Sequence, residues 1–286
     1  MRIRTRSLPP GWYPSDESRT TREIEEFARR GAPAHKNAIA GVAPHAGWSY
    51  SGSIACHVFQ SLCKEVQTIV VVGGHLAPKS GLLAAFEQGY ETPIGVIESD
   101  LELLELLRTA IPLEEDRYAD NTVEVQLPLL KYLYPRARAL HLRAAPSSEA
   151  LRLGEELAAA AERLERKVAV VGSTDLTHYG ENYGFSPHGS GEEAIRWVKQ
   201  VNDRRIIDAL LEQRLDYAIR LANSEKSACS VGAAVAAAQF AACMKGGKGT
   251  LLEYRTSYDV SPGPFFVGYA GIIYPGNVSL PRPTSP

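Results

Sequence analysis

The sequence lacks the features that mark several common classes of protein. Its charges almost balance, with 31 Lys and Arg against 33 Asp and Glu, so it lacks the excess of positive charge that is typical of nucleic-acid-binding proteins. No run approaches the roughly 18 consecutive apolar residues of a membrane-spanning helix. The four cysteines form no CxxC pair, which is typical of reduced thiols in a cytosol. These absences predict neither a nucleic-acid nor a membrane partner.

Targeting and nucleotide-binding signals are missing as well. Residues 1–6 are basic but lack the apolar run of a signal peptide, so we expect a cytoplasmic protein. No GxGxxG or Walker-type loop supports dinucleotide or phosphoryl-transfer chemistry. The 286 residues, 44% of them hydrophobic, contain no internal repeat and no linker. We therefore predict a single domain over residues 1–276 and a disordered Pro-rich tail over 277–286.

What the chain does have is three short apolar runs that predict strands of an α/β protein, buried on both faces: residues 38–42, 68–73 and 167–172. Polar side chains follow all three runs: His45, His75, and Asp175 with His178. Ligands bind at the carboxyl ends of strands in open α/β sheets, and the usual connections make those ends neighbours. The sequence therefore predicts one polar site at this edge of the sheet.

Two helices are predicted to begin beside these polar loops. Ser51 or Ser53 can cap the helix after the first strand, because a hydroxyl accepts from unpaired backbone N–H groups. Thr122 can cap a second helix, which carries Glu124 in its first turn. A carboxylate there is favoured by the helix dipole.

The residue types at the predicted site suit a divalent transition metal. Two neutral imidazoles and one anionic ligand make such a site, and the anion has three candidates, Asp175, Glu124 and Cys229. Cys229 comes directly before a helix, where a thiol has a lowered pKa. Cys229, His178 and Asp175 also match the parts of a thiol hydrolase, an alternative that the spacing leaves open.

Longer stretches around these residues resemble the Memo family, which is structurally similar to the LigB-like class III extradiol dioxygenases. The resemblance runs from about residue 12 to residue 274. It rests on residues 43–52, 73–75, 90–95, 123–128, 173–179, Cys229 and 268–270. It implies an α/β fold, with a single three-layer domain around a mostly parallel central sheet.

The resemblance also implies the members of a site. Its metal ligands would be His45, His75 and Cys229, with Fe²⁺ as the first choice of metal and copper as the second. Asp175 and His178 would line the same cleft, where His178, oriented by Asp175, moves protons. We expect substrate contacts from four further side chains: Tyr50, Asn121, Glu124 and Tyr179.

Two positions depart from the family's pattern. Leu76 stands where a second histidine usually follows the first, and Asn121 replaces a histidine shortly before the helix glutamate. An amide exchanges no proton near neutral pH, so an acid–base role at position 121 is lost or moves to His178. The substrate or the chemistry can therefore differ from that of other members.

These observations predict a metal-dependent, non-haem iron(II) oxygenase of the extradiol type. Its partners would be O₂ and a small aromatic or phenolic substrate, and the sequence leaves homo-oligomerisation open. The alternative is a non-catalytic Memo-like protein that uses the same cleft to bind a peptide or a metal, iron or copper. Metal analysis and O₂ consumption with catechols distinguish the two.

Overall fold

A computed structural model gives the structure of residues 2–31 and 35–276, and the tail predicted over 277–286 lies outside these described residues. The strands are β1 (Ile3–Arg4), β2 (Ala38–Ala43), β3 (Thr68–Gly73), β4 (Leu82–Ala84), β5 (Gly89–Thr92), β6 (Gly95–Glu98), β7 (Glu114–Glu115), β8 (Arg138–Ala144), β9 (Val168–Ser173), β10 (His178–Tyr179), β11 (Thr250–Thr256) and β12 (Phe266–Pro275). The helices are α1 (Glu17–Arg30), α2 (Trp48–Ser61), α3 (Leu101–Ala110), α4 (Asn121–Glu124), α5 (Leu127–Leu133), α6 (Ser148–Arg163), α7 (Glu192–Trp197), α8 (Asp203–Leu211), α9 (Leu215–Glu225) and α10 (Val231–Cys243).

The main sheet has the strand order β10-β12-β2-β9-β3-β8-β4-β7, and β11 pairs with β12. Its centre is parallel, because β2, β9, β3 and β8 all run in one direction. Antiparallel strands extend it on both sides, β12 beside β2 and β4 beside β8. A second, small sheet joins β1, β5 and β6. The predicted α/β fold with a parallel central sheet is confirmed.

Alternate side chains of the central strands fill two hydrophobic cores. In β3, Val70 and Val72 belong to the core under α3, α6, α8, α9 and α10. Ile69 and Val71 belong to the core under α1, α2 and α5. Side chains of a strand point alternately to opposite faces, so a strand covered on both faces must be apolar at every position. This explains the unbroken apolar runs and gives the three layers.

Helix α10 packs close to the sheet because its residues are small. A Cβ added to Gly172 would lie 2.3 Å from the Ala233 carbonyl oxygen, so β9 and α10 approach more closely than larger side chains allow. A Cβ added to Gly232 would lie 2.4 Å from the Ala145 carbonyl oxygen. This packing brings the start of α10, with Cys229 two residues before it, to the carboxyl ends of β8 and β9.

Two helices begin elsewhere than the sequence predicts. Helix α2 begins at Trp48, ahead of Ser51 and Ser53, and the Trp48 N–H donates to the Trp12 carbonyl. Helix α4 is capped by Asp120, whose carboxylate accepts from the Thr122 N–H, so Thr122 lies inside the first turn. The predicted caps at Ser51, Ser53 and Thr122 are therefore wrong, because these helices begin earlier, where the Trp12 carbonyl and the Asp120 carboxylate accept from the first N–H groups.

The state of the cysteines and the character of the helices can be read directly from the structure. All four cysteines, Cys56, Cys63, Cys229 and Cys243, are free thiols. Across the described residues, no helix is long and apolar enough to cross a membrane.

Candidate metal centre

The polar loops after the three predicted strands meet, although two of these strands are not neighbours in the sheet. Strand β9 lies between β2 and β3, so the strands that precede His45 and His75 are not adjacent. The two imidazole rings nevertheless stand edge to face, with ring centroids 4.9 Å apart. The loops at the carboxyl edge of the parallel strands thus bring these two histidines together.

Three side chains form a candidate metal centre. One ligand atom from each of His45, His75 and Cys229 lies within 4.8 Å of the others, and Cys229 Sγ lies 3.2 Å from His45 Nε2. His45 is buried, whereas the His75 side chain is 35% exposed, so the cluster is reached from the His75 side. Two imidazoles and a thiol fit iron, copper or zinc. Of the three candidate anions, Cys229 is the one in the cluster.

The ring of His75 is fixed by a carboxylate. Its Nδ1 lies 3.1 Å from Asp120 Oδ2 and donates to it, which leaves Nε2 for the cluster. The other oxygen of Asp120 accepts from the N–H and the hydroxyl of Thr122. Arg143 lies 3.3 Å from Asp120 Oδ2 and also donates to the Gly74 carbonyl at 2.8 Å. Arg143 therefore ties the backbone before His75 to the carboxylate that orients its ring.

The backbone at His75 is held in an uncommon conformation. Its φ of 56° is left-handed, which is rare for a residue other than glycine. The His75 N–H donates to Ser230 Oγ at 3.1 Å. A Cβ added to Gly74 would lie 2.4 Å from the Cβ of Ser230, so this glycine is required for the close approach. The loop after β3 and the start of α10 thus fix each other, which brings Cys229 beside His75.

His45 is fixed by buried partners on its backbone and on its ring. Its N–H donates to Asp175 Oδ1 at 2.7 Å, and its carbonyl accepts from Asn121 Nδ2 at 3.0 Å. Its Nδ1 lies 3.3 Å from Ser173 Oγ, which leaves Nε2 for the cluster. Asp175 also accepts the Cys229 N–H through its carbonyl at 3.2 Å. One loop therefore positions two of the three candidate ligands.

The charges of the cluster stabilise one another. Burial by itself would raise the pKa of Cys229, but the neighbouring His45 and His75 rings hold it well below its usual value. Burial would lower the pKa of His45, yet Cys229 and Asp175 raise it. Burial would likewise lower the pKa of His75, but the hydrogen bonds to Asp120 and Cys229 raise it to about 10. A bound cation would replace these protons, so binding would release them.

His178 lies near the cluster but is not oriented as predicted. Its Nδ1 donates to the Leu176 carbonyl at 3.1 Å, whereas Oδ1 of Asp175 accepts from His45. The Tyr183 ring stands edge-on to the His178 ring, with centroids 5.0 Å apart. The prediction that Asp175 orients His178 is therefore wrong, because the backbone of the same loop is the nearer acceptor.

The four expected substrate contacts have different surroundings. Tyr179 is buried, and its hydroxyl donates to the Gly189 carbonyl at 3.1 Å, away from the cleft, because neighbours on β10 point to opposite faces. Glu124 accepts from Ser7, Leu8 and Tyr13 of the N-terminal segment. Asn121 donates to His45, as described above. Tyr50 remains 37% exposed.

Three side chains that support the site were not found from the sequence: Asp120, Arg143 and Ser230. Asp120 had a signal, since an Asp before a helix is a common cap, but its second oxygen serves His75. Arg143 is the second-to-last residue of β8 and is only 4% exposed. A buried arginine needs acidic partners, and that pattern could have drawn attention to it.

The fold and the cluster define an α/β protein with a candidate metal centre of two imidazoles and one thiol. The Memo-like protein family model matches residues 4–273. A MEMO1 family protein of Methanopyrus kandleri is 32% identical over 252 residues, 82% of each chain. One of Methanococcoides burtonii is 32% identical over 270 residues, 92% of this chain and 96% of the relative. The chain belongs to the Memo family.

A solved structure is also similar to this chain. The crystal structure of an uncharacterized protein of Escherichia coli K12 matches with a TM-score of 0.53 and 16% sequence identity. The match covers 83% of this chain and 99% of the other. At this identity the likeness concerns the fold alone.

Proposed function

We propose that the chain is a metal-dependent oxygenase of the extradiol type that acts on a small aromatic or phenolic substrate with O₂. The residues that would hold Fe²⁺, or copper as the second choice, are His45, His75 and Cys229. The observation that carries the proposal is the convergence of these three ligand atoms within 4.8 Å, with His75 at the accessible side. When bound, the metal would supply a Lewis acid and a redox centre for O₂ and a phenol.

The chain's own residues would hold the site rigid and move a proton. Asp120 fixes the ring of His75, and Asp175 fixes the backbone of His45. Because His178 donates its Nδ1 proton to a backbone carbonyl, its Nε2 is the nitrogen available to take a proton from a phenol. Two exposed aromatic rings, Tyr50 and Tyr183, offer flat apolar faces for an aromatic substrate.

A non-catalytic binding protein is the second candidate, and a specific observation favours it. Two of the side chains expected to contact a substrate, Asn121 and Glu124, are engaged in hydrogen bonds to the protein itself. A site that has lost those contacts can still hold a metal. In this alternative the cleft would bind iron, copper or a peptide without turnover.

The deciding experiment is metal analysis of protein purified without oxygen, followed by O₂ consumption with catechol and 2-aminophenol. We expect one Fe²⁺ per chain and uptake of O₂ with one of these compounds. His75→Ala and Cys229→Ser should abolish stoichiometric binding, since serine stays protonated and is a poor ligand. His188→Ala is the matched control, because His188 is exposed and packs on Trp197.

The three possible outcomes distinguish an oxygenase, a binding protein and a wrong set of ligands. Stoichiometric iron with O₂ uptake that His75→Ala abolishes supports the oxygenase. Stoichiometric iron or copper without uptake for a panel of catechols and aminophenols supports the binding protein. Unchanged affinity in both His75→Ala and Cys229→Ser would show that the ligand set is wrong.

A further inference from the structure

The segment that carries His178 is held by a buried carboxylate outside the metal centre. Asp203 is fully buried, and its Oδ1 accepts from the Thr177 N–H at 3.1 Å and from the Thr177 hydroxyl at 2.5 Å. Its Oδ2 accepts from the Tyr254 hydroxyl at 2.8 Å. Asn202, also buried, donates to the Thr177 hydroxyl at 3.0 Å. Every polar atom of Thr177 that points inward thus has a fixed partner.

The helix that carries Asp203 is interrupted at this point. A π-helical turn over Val198–Asn202 joins α7 to α8, and Asp203 is the first residue after it. Such turns are rare and are frequently found at functional sites. Here the two polar residues at the end of the turn, Asn202 and Asp203, both contact Thr177.

The strand opposite leaves room for the carboxylate. A Cβ added to Gly268 would lie 2.0 Å from Asp203 Oδ2, so only glycine fits there. Gly268 also accepts the Leu176 N–H at 2.8 Å and donates to the Thr177 carbonyl at 3.0 Å. The segment from Leu176 to His178 is therefore clamped between β12 and Asp203.

Burying the Asp203 carboxyl group has a free-energy cost, which its hydrogen bonds to Thr177 and Tyr254 must offset. Burial raises the pKa of Asp203 to about 6, against the opposing hydrogen bonds of Thr177 and Tyr254 and the nearby His178 ring. A buried carboxyl is unfavourable unless hydrogen bonds offset its desolvation, and an apolar residue would pack there without that cost.

We propose that Asp203 is a positioning residue for His178. By holding Thr177, it sets the turn in which His178 Nδ1 donates to the Leu176 carbonyl, and so it fixes the tautomer that leaves Nε2 free. The catalytic value of that tautomer rests on the proposed function, in which His178 moves a proton. The positioning itself does not depend on turnover.

The test is the nitrogen NMR spectrum of the His178 ring in the full chain, recorded without metal and with Zn²⁺. In the unaltered protein we expect one dominant Nδ1–H tautomer when the ring is neutral. Asp203→Asn keeps the shape but turns an NH₂ group or a weaker acceptor toward Thr177, so the ring should show a mixture of tautomers. Zinc stoichiometry should stay unchanged, because Asp203 touches none of the three candidate ligands.

Asp259→Asn is the matched control. Asp259 accepts from the N–H and the hydroxyl of Thr256, at 2.8 and 3.0 Å, so it makes the same kind of contact in another turn. It should leave the His178 spectrum unchanged. If Asp203→Asn fails to fold, Thr177→Val removes the hydroxyl alone and should cause a smaller change in the same direction.

Two results would overturn the positioning role. One is a His178 spectrum that neither Asp203→Asn nor Thr177→Val alters in folded protein. The other is an equal change in Asp259→Asn. Loss of the single tautomer in a protein that shows no turnover would still support the positioning role, and would count against the proposed oxygenase alone.

Discussion

Glu124 was expected to bind a substrate, but its contacts indicate that it stabilises the fold, and mutation can distinguish these two roles. Its two oxygens accept from the Ser7 N–H at 2.9 and 3.0 Å, from the Ser7 hydroxyl at 2.5 Å, from the Leu8 N–H at 3.0 Å and from the Tyr13 hydroxyl at 2.8 Å. Glu124 itself is only 8% exposed. This one side chain therefore fastens the N-terminal segment to α4.

The expected cost of removing Glu124 follows from these contacts. Glu124→Ala leaves four donors without their acceptor, two of them backbone N–H groups. Hydrogen bonds to a charged group contribute about 1.5–3 kcal/mol each, and partial access of water to Ser7 and Leu8 reduces the sum to about 3–5 kcal/mol. Glu124→Gln keeps one oxygen for Leu8 and Tyr13 but places an NH₂ group opposite the Ser7 N–H. Its cost should be about 1–2 kcal/mol.

The assay is urea unfolding followed by circular dichroism, together with limited trypsin digestion at Arg6. Both variants should unfold at a lower urea concentration than the unaltered protein. Cleavage at Arg6 should be faster in Glu124→Gln than in the unaltered protein, and fastest in Glu124→Ala. Glu98→Ala is the control, because Glu98 is exposed on β6 and should change the free energy of unfolding by no more than about 0.5 kcal/mol.

One pattern of results would refute this reasoning. If Glu124→Ala were as stable as Glu98→Ala, the hydrogen bonds would not hold the segment. If Glu124→Gln kept its stability but lost affinity for a substrate, Glu124 would be a binding residue, as the sequence first suggested.

Three further predictions concern the site and its support. Asp120→Asn should weaken Zn²⁺ or Fe²⁺ binding by about 10- to 100-fold in a chelator competition, and unchanged affinity would contradict the role of Asp120 in orienting His75. Gly268→Ala should destabilise by about 1–3 kcal/mol in urea unfolding, whereas Gly263→Ala, with one contact at 3.9 Å, should cost little. Because the pKa of Asp203 is raised to about 6, its stabilising contribution should be full below about pH 4 and be lost as pH rises through about 6. Asp203→Asn should remove that slope from unfolding measured across this range, and an unchanged slope would refute it.

The central strands and the place of the site could be predicted from the sequence because both rest on short-range patterns. An unbroken apolar run such as 68–73 predicts a strand covered on both faces, and the residue after it must lie at the carboxyl edge. His45 and His75 follow from that rule. Cys229 follows from its place just before a small-residue helix, together with the resemblance to the Memo family.

The partners of these residues could not be predicted, because they depend on contacts between distant parts of the chain. Glu124 in the first turn of a helix has the same local pattern whether it is free or bound, and its partners lie more than 100 residues away. The order of the strands could not be predicted for a similar reason, since β9 inserts between β2 and β3. By contrast, the outward direction of Tyr179 was predictable. If His178 faces the cleft, its neighbour on a strand must face the other way.

Four loops bring the candidate ligands and His178 together, and in three of them an aspartate holds the loop rather than filling the cluster. Asp120 holds the ring of His75, Asp175 holds the backbone of His45, and Asp203 holds the turn before His178. Each of these hydrogen bonds acts on a candidate ligand or on the turn before His178 from outside the cluster. Partners of this kind orient metal-ligating side chains, and their loss commonly weakens metal binding by about 10- to 100-fold. Hydrogen bonds that order these loops on folding would lower the cost of ordering them on binding, which leaves more of the interaction free energy for affinity.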